Sequence, residues 1–164
     1  MRKSITEEIL LKYMELRTDS RLDDMDKYIQ HGSCTTLRHS LGVAYMSLYL
    51  YDIFRCKCNR DSLLKSAFIH DYYLYDWHEK DKTHSLHGFK HAKTALKNAN
   101  EDFNLKEHEK DAILNHMFPL IPSWPKYSEG RLLSLADKLC AIYEIFKKNP
   151  YEDLYQMIKE GIQK

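Results

Sequence analysis

The sequence predicts an all-α protein, a single-domain helical bundle of about seven to eight helices. Three observations carry that expectation. Apolar residues recur at three- and four-residue spacing along most of the chain, the breaks between these stretches are short and polar, and no segment alternates convincingly as a strand would. A chain of 164 residues is long enough to bury a proper core as one domain without disulfides. The core is expected at about residues 30–147, with N-terminal helices within 5–29 and a C-terminal helix at 151–162 packed on it.

Residues 5–17 carry Ile5, Ile9, Leu10, Tyr13 and Leu16 at helical spacing, and Asp23 to Ile29 reads as a second, shorter helix. His31-Gly32-Ser33 breaks the pattern, with Gly32 as a stop and Ser33, Thr35 or Thr36 as the next N-cap. Over about 36–55, Leu37, Leu41, Ala44, Leu48 and Tyr51 form one stripe, and His39 lies off its centre. Asn59-Arg60-Asp61-Ser62 is a turn and cap for a helix that ends in Phe68-Ile69-His70-Asp71, where Leu64, Ala67 and Asp71 share a side. Tyr72 to Glu79 is aromatic and acidic, with a histidine-rich polar stretch to Gly88 behind it. Helices follow at about 90–102 and 105–117, and Pro119, Pro122 and Pro125 then enforce an extended crossing. A long helix from Ser128 to about Lys148 ends at Asn149-Pro150, and 151–162 is amphipathic.

Composition excludes several classes of function. A formal net charge of +1, with many charges of both signs, gives no reason to expect a nucleic-acid or anionic-membrane surface. No apolar run reaches the roughly 18 residues of a membrane span, and Met1-Arg2-Lys3-Ser4 lacks a signal-peptide core. Cys34, Cys56, Cys58 and Cys140 lack paired metal spacing and read as reduced thiols. A cytoplasmic location is the expectation.

His70-Asp71 is the centre of the functional reading, together with His39 upstream and Asp137 far downstream. Leu132, Leu133, Leu135, Ala136, Leu139, Cys140 and Ile142 surround Asp137, so its carboxylate is expected to be dehydrated and to need a partner. Lys138, one position on, points elsewhere on the helix, which leaves a salt bridge from another element or a bound cation. Two imidazoles and two carboxylates suit a divalent transition metal (Zn, Mn, Fe, Co or Ni) better than Mg or Ca.

These residues and the words around them, Arg38-His39-Ser40-Leu41-Gly42-Val43-Ala44, Phe68-Ile69-His70-Asp71 and Ser134-Leu135-Ala136-Asp137-Lys138, resemble the HD superfamily of metal-dependent phosphohydrolases over roughly residues 30–147. The resemblance implies His39, His70, Asp71 and Asp137 as metal ligands. Two-metal members carry further histidines between the His-Asp pair and the late aspartate. His87 and His91 each match the first extra position and His116 the second, so two ions are expected, with Asp71 between them. The family word often has proline after the first of these histidines. Ala92 departs from it, which leaves His87 or His91 open, with His91 favoured by its place at a helix start.

The implied activity is hydrolysis of a nucleotide or other small phosphate ester by metal-activated water. Asp71, His116 and Asp76 are the catalytic candidates, and Arg38, Lys138 and Trp77 the substrate contacts. Tyr72, Tyr73 and Tyr75 beside Trp77 are available to stack a nucleobase. The rival readings are a non-catalytic metal-binding or regulatory helical module and a di-iron oxygenase of the same fold. Oligomeric state is not legible in the sequence.

Overall fold

Local capping chemistry sets the helix starts. Ser4 Oγ accepts from the Glu7 N–H to open α1 (Ile5–Arg17), whose Ile9, Tyr13 and Leu16 turn inward. Thr35 accepts from the Arg38 N–H to open α2 (Thr36–Phe54), and Asn59 accepts from the Ser62 N–H to open α3 (Arg60–Ile69). Four helices follow: α4 (His87–Asp102), α5 (Glu107–Asn115), α6 (Ser128–Phe146) and α7 (Glu152–Ile162). The computed structural model describes residues 4–76 and 87–162. Over them the protein is all-α apart from one small hairpin, as its periodicity predicts.

That hairpin replaces the helix expected over 23–29. Residues Leu22–Lys27 form a 3₁₀ helix, which fits the three-residue spacing of its two buried side chains, Leu22 and Met25. Strand β1 (Ile29–His31) then pairs antiparallel with β2 (Cys34–Thr35) around Gly32, which holds a φ of +55°. The extended backbone buries Gln30 between two less buried neighbours, a placement with consequences for the site.

Helix α2 is the central element. It packs against α3 and α6, with α5 bridging those two and α4 lying on α5, while α1 and α7 close the other side. Leu37, Leu41, Leu48, Leu63, Phe68, Ile69, Ile113 and Leu133 are core residues at this junction. Tyr151 seats its ring on Gly42, where an added Cβ would stand 2.2 Å from the ring carbon Cζ, so only glycine lets the segment before α7 lie this close to α2.

Candidate metal centre

Four helices each deliver a ligand-type side chain to one buried region. His39 comes from the first turn of α2, His70 and Asp71 from the end of α3, His116 from the end of α5 and Asp137 from the middle of α6. Helix α4 adds His91. All six are buried.

Asp71 lies at the middle of the group and its two oxygens face different partners. Oδ2 is 3.5 Å from His70 Nε2 and 3.8 Å from His39 Nε2. Oδ1 is 3.2 Å from His91 Nε2 and 3.5 Å from His116 Nε2. On the first side Asp137 Oδ1 completes the set, 3.1 Å from His39 Nε2 and 3.8 Å from His70 Nε2. His39, His70 and Asp137 thus form one group that could hold a metal ion, and His70, Asp71 and His116 a second.

The backbone decides which nitrogen each imidazole presents. A carbonyl oxygen can only accept, so His70 Nδ1 donates to Ala67 O at 2.9 Å and His116 Nδ1 donates to Ile113 O at 2.7 Å. Both rings therefore aim Nε2 at the cluster. His39 is fixed by a carboxylate instead, with Nδ1 2.9 Å from Glu144 Oε1, and its Nε2 likewise faces inward. Orientation by a carbonyl or carboxylate on the far nitrogen is what a histidine ligand requires.

The donor set fits a divalent cation. His70 Nε2 and Asp71 Oδ1 are buried and lack a hydrogen-bond partner, and His91 Nε2 meets His116 Nε2 head-on at 3.1 Å. Buried polar atoms left in this way are costly unless something charged satisfies them. Ligand bonds of about 2.1 Å separate neighbouring donor atoms by roughly 3.0–3.5 Å, close to the spacings here.

Electrostatics point the same way. Burial pushes the Asp71 carboxyl up, but His70, His91 and His116 outweigh it and hold it well below the usual carboxylate range. Asp137 is likewise held down against burial by His39 and His70. Burial works against protonation of His39, yet Glu144 and Asp137, one at each nitrogen, raise it well above the ordinary histidine value. Burial lowers His116.

The remaining sequence candidates divide. Lys138 does not point away: its Nζ donates to His116 O at 2.7 Å and lies 3.4 Å from Asp137 Oδ2, at the edge of the cluster. Arg38 turns outward, donating to Glu152 at 2.6 Å and stacking on Tyr155. Tyr72 and Tyr73 are fully buried and cannot stack a base; their hydroxyls donate to Asp102 and Gln30. Asp76 is partly buried, five residues beyond Asp71. His87 opens α4, but its side chain, like Trp77, His78 and His84, lies outside the described residues.

Three site residues escape the sequence reading. Glu144 follows Asp137 by seven positions, two helical turns, and so shares its inward face; that spacing was the available signal. Gln30 donates to Asp71 Oδ2 at 2.6 Å while accepting from Tyr73, and only the hairpin brings it there. His31 packs edge-on against His39, with ring centroids 5.9 Å apart, and burial lowers its pKa.

Comparison with known families gives one result: a family model described as the HD domain matches residues 36–142. That span contains all six buried ligand-type residues, in order from His39 on α2 to Asp137 on α6. No curated protein and no solved structure matches the chain.

Proposed function

The chain belongs to the HD-domain family, and from that premise we propose that it is a metal-dependent phosphohydrolase acting on a small phosphate ester, with a nucleotide as one such substrate. The observation that carries the reading is Asp71, buried between two groups of imidazoles with one oxygen toward each. We assign His39, His70, Asp71 and Asp137 to one ion, and Asp71, His91 and His116 to a second. Imidazole with carboxylate suits Zn, Mn, Fe, Co or Ni. A cation bound there supplies an activated water at neutral pH and a positive centre for the phosphate oxygens.

The chain's own residues perform the rest. Ala67 O and Ile113 O hold the tautomers of His70 and His116, Glu144 holds His39, and Gln30 holds Asp71, so the donor atoms are oriented before any ligand arrives. With both nitrogens of His116 engaged, it acts as a ligand and not as a proton carrier. Proton delivery to the leaving oxygen falls to Asp76, the less buried carboxylate. Lys138, anchored on His116 O beside Asp137, places its ammonium to contact a phosphate oxygen.

The test is metal analysis of protein purified without added metal, followed by turnover of p-nitrophenyl phosphate and of a nucleoside monophosphate by wild type and His70→Ala. Expected are transition metal and hydrolysis in the wild type, both lost in His70→Ala. Metal-free, inactive wild-type protein that also fails to bind added Mn or Zn would discard the reading. An iron pair with oxygen consumption and no hydrolysis would replace it by the oxygenase.

A further inference from the structure

Helix α6 buries polar groups beside its core residues Leu133 and Ala136 and leaves an apolar stripe outside. Asp137, Cys140 and Glu144 face inward and are buried, whereas Leu135, Leu139, Ile142 and Phe146 face outward with 41, 39, 57 and 84% of their surface exposed. The outward residues follow a 4-3-4 spacing, the a/d seam of a heptad, which keeps side chains in line for a second helix. Among the described residues each of them keeps at least 39% of its surface exposed.

Helix α2 extends the same face with Tyr45, Tyr49 and Ile53, spaced by four and exposed by 38, 47 and 54%. The two helices run antiparallel: His39, early in α2, meets Asp137 and Glu144 in the second half of α6, and the Asn59 N–H beyond the end of α2 meets Glu129 at the start of α6. A cavity of about 660 Å³ has Tyr45 and Met46 of α2, Leu139 and Tyr143 of α6 and the segment leading into α7 as its walls, so Tyr45 and Leu139 bring the two stripes to one groove.

Size identifies the occupant. With roughly 150–250 Å² for each fully exposed large side chain, the eight residues Leu135, Leu139, Ile142, Tyr143, Phe146, Tyr45, Tyr49 and Ile53 present on the order of 800 Å² of mostly apolar surface. That exceeds the few hundred Å² usual on a monomer and equals what one partner contributes to a standard interface. A lipid surface has no use for heptad register, whereas a second helix needs it, and exposed tyrosines are typical of protein interfaces.

We propose that this face is a homodimer interface. Helix α6 packs antiparallel on α6 of a second copy across a two-fold axis between Leu139 and Ile142. The seam is then self-complementary: Leu139 meets Ile142 of the partner subunit and Leu135 meets Phe146 of the partner subunit, with α2 on the flanks. This inference does not depend on the metal centre.

Light scattering and sedimentation equilibrium on the full chain test it. The wild type is expected at twice the chain mass of 19.6 kDa. Ile142→Asp and Phe146→Asp should raise the dimer dissociation constant on the order of 100-fold, as for loss of a central anchor. Leu11→Asp, at an apolar residue 47% exposed on α1, should leave it unchanged. Circular dichroism checks folding, and Phe146→Ser serves if aspartate disturbs it. A wild type that stays monomeric at about 100 µM, or a dimer indifferent to the α6 variants, overturns the proposal. So does a monomer that binds phosphatidylserine vesicles and loses that binding in Ile142→Asp.

Discussion

Replacing Asp137 by alanine separates a metal ligand from a structural ion pair. Its carboxylate lies 3.1 Å from His39 Nε2 and 3.4 Å from Lys138 Nζ. His39 keeps Glu144 at its other nitrogen, so no buried cation is orphaned by the change. The loss in metal-stripped protein is then one charge-assisted hydrogen bond, about 1.5–3 kcal/mol, and not the 3–5 kcal/mol of a broken buried pair. At about 2–4 °C per kcal/mol for a chain of this size, the stripped mutant should melt roughly 3–12 °C below stripped wild type. Metal adds a second readout. At a free concentration of about 100 times its dissociation constant, an ion stabilises the wild type by about 2.7 kcal/mol, or roughly 5–11 °C. If loss of a ligand weakens binding about 100-fold, the same concentration yields only about 0.4 kcal/mol, roughly 1–2 °C. Calorimetry of both proteins with and without Mn or Zn reads both terms. A mutant that keeps the full metal-induced rise would refute the ligand role, whatever its stability when stripped.

Three further outcomes are expected. His116→Ala should lower metal content from two ions per chain to one, by elemental analysis, and two ions in the variant would count against a second site built on His116. Glu144→Ala should weaken metal binding about 10–100-fold by titration calorimetry, with Glu144→Gln, which keeps an acceptor for His39 Nδ1, recovering most of it; equal affinities in all three proteins would remove the positioning role. Burial works to raise the Asp26 carboxyl, but hydrogen bonds from Tyr155, Thr35 and Lys159 leave it below the ordinary value. Its stabilising contribution is therefore complete above the unfolded value of about 4 and lost as pH falls through the lower folded value. The stability gap between wild type and Asp26→Asn, from urea melts, should be constant near neutral pH and close in acid; a gap that widens in acid would reverse the sign.

The helices were legible because their apolar spacing is regular, and the cluster was legible because three such helices each carry a ligand-type residue on or beside the apolar face, at His39, His70-Asp71 and Asp137. Elements that depend on tertiary partners were not. Residues 23–29 have the composition of a helix, but Gly32 and the pairing of Ile29 with Thr35 draw the chain into a hairpin. Gln30 became a site residue only through that hairpin, so no local pattern could have revealed it. Arg38 and Lys138 show how poorly adjacency predicts reach. Both flank a cluster residue at about 100° of helical rotation, yet Arg38 finds Glu152 outside, whereas Lys138 bends back to His116 O. Tyr72 and Tyr73 looked like a stacking surface, but their rings serve the core and their hydroxyls serve Asp102 and Gln30.

Asp137 exposes the deepest fault in pattern reading. Its apolar neighbours predict burial, and it is buried, with Leu132, Leu133, Ala136 and Cys140 buried as well, but Leu135, Leu139 and Ile142 are exposed. On α6 the inward apolar residues Leu133, Ala136 and Cys140 share the interior with the charged cluster, and a second apolar stripe is left outside. A helix arranged this way needs both faces covered: Asp137 and Glu144 need cationic partners within, and the heptad stripe needs an apolar partner without. His39, between Asp137 and Glu144, meets the first need. Nothing within the described residues meets the second, and a stripe that is costly to leave in water and spaced for a helix is best accounted for by another α6.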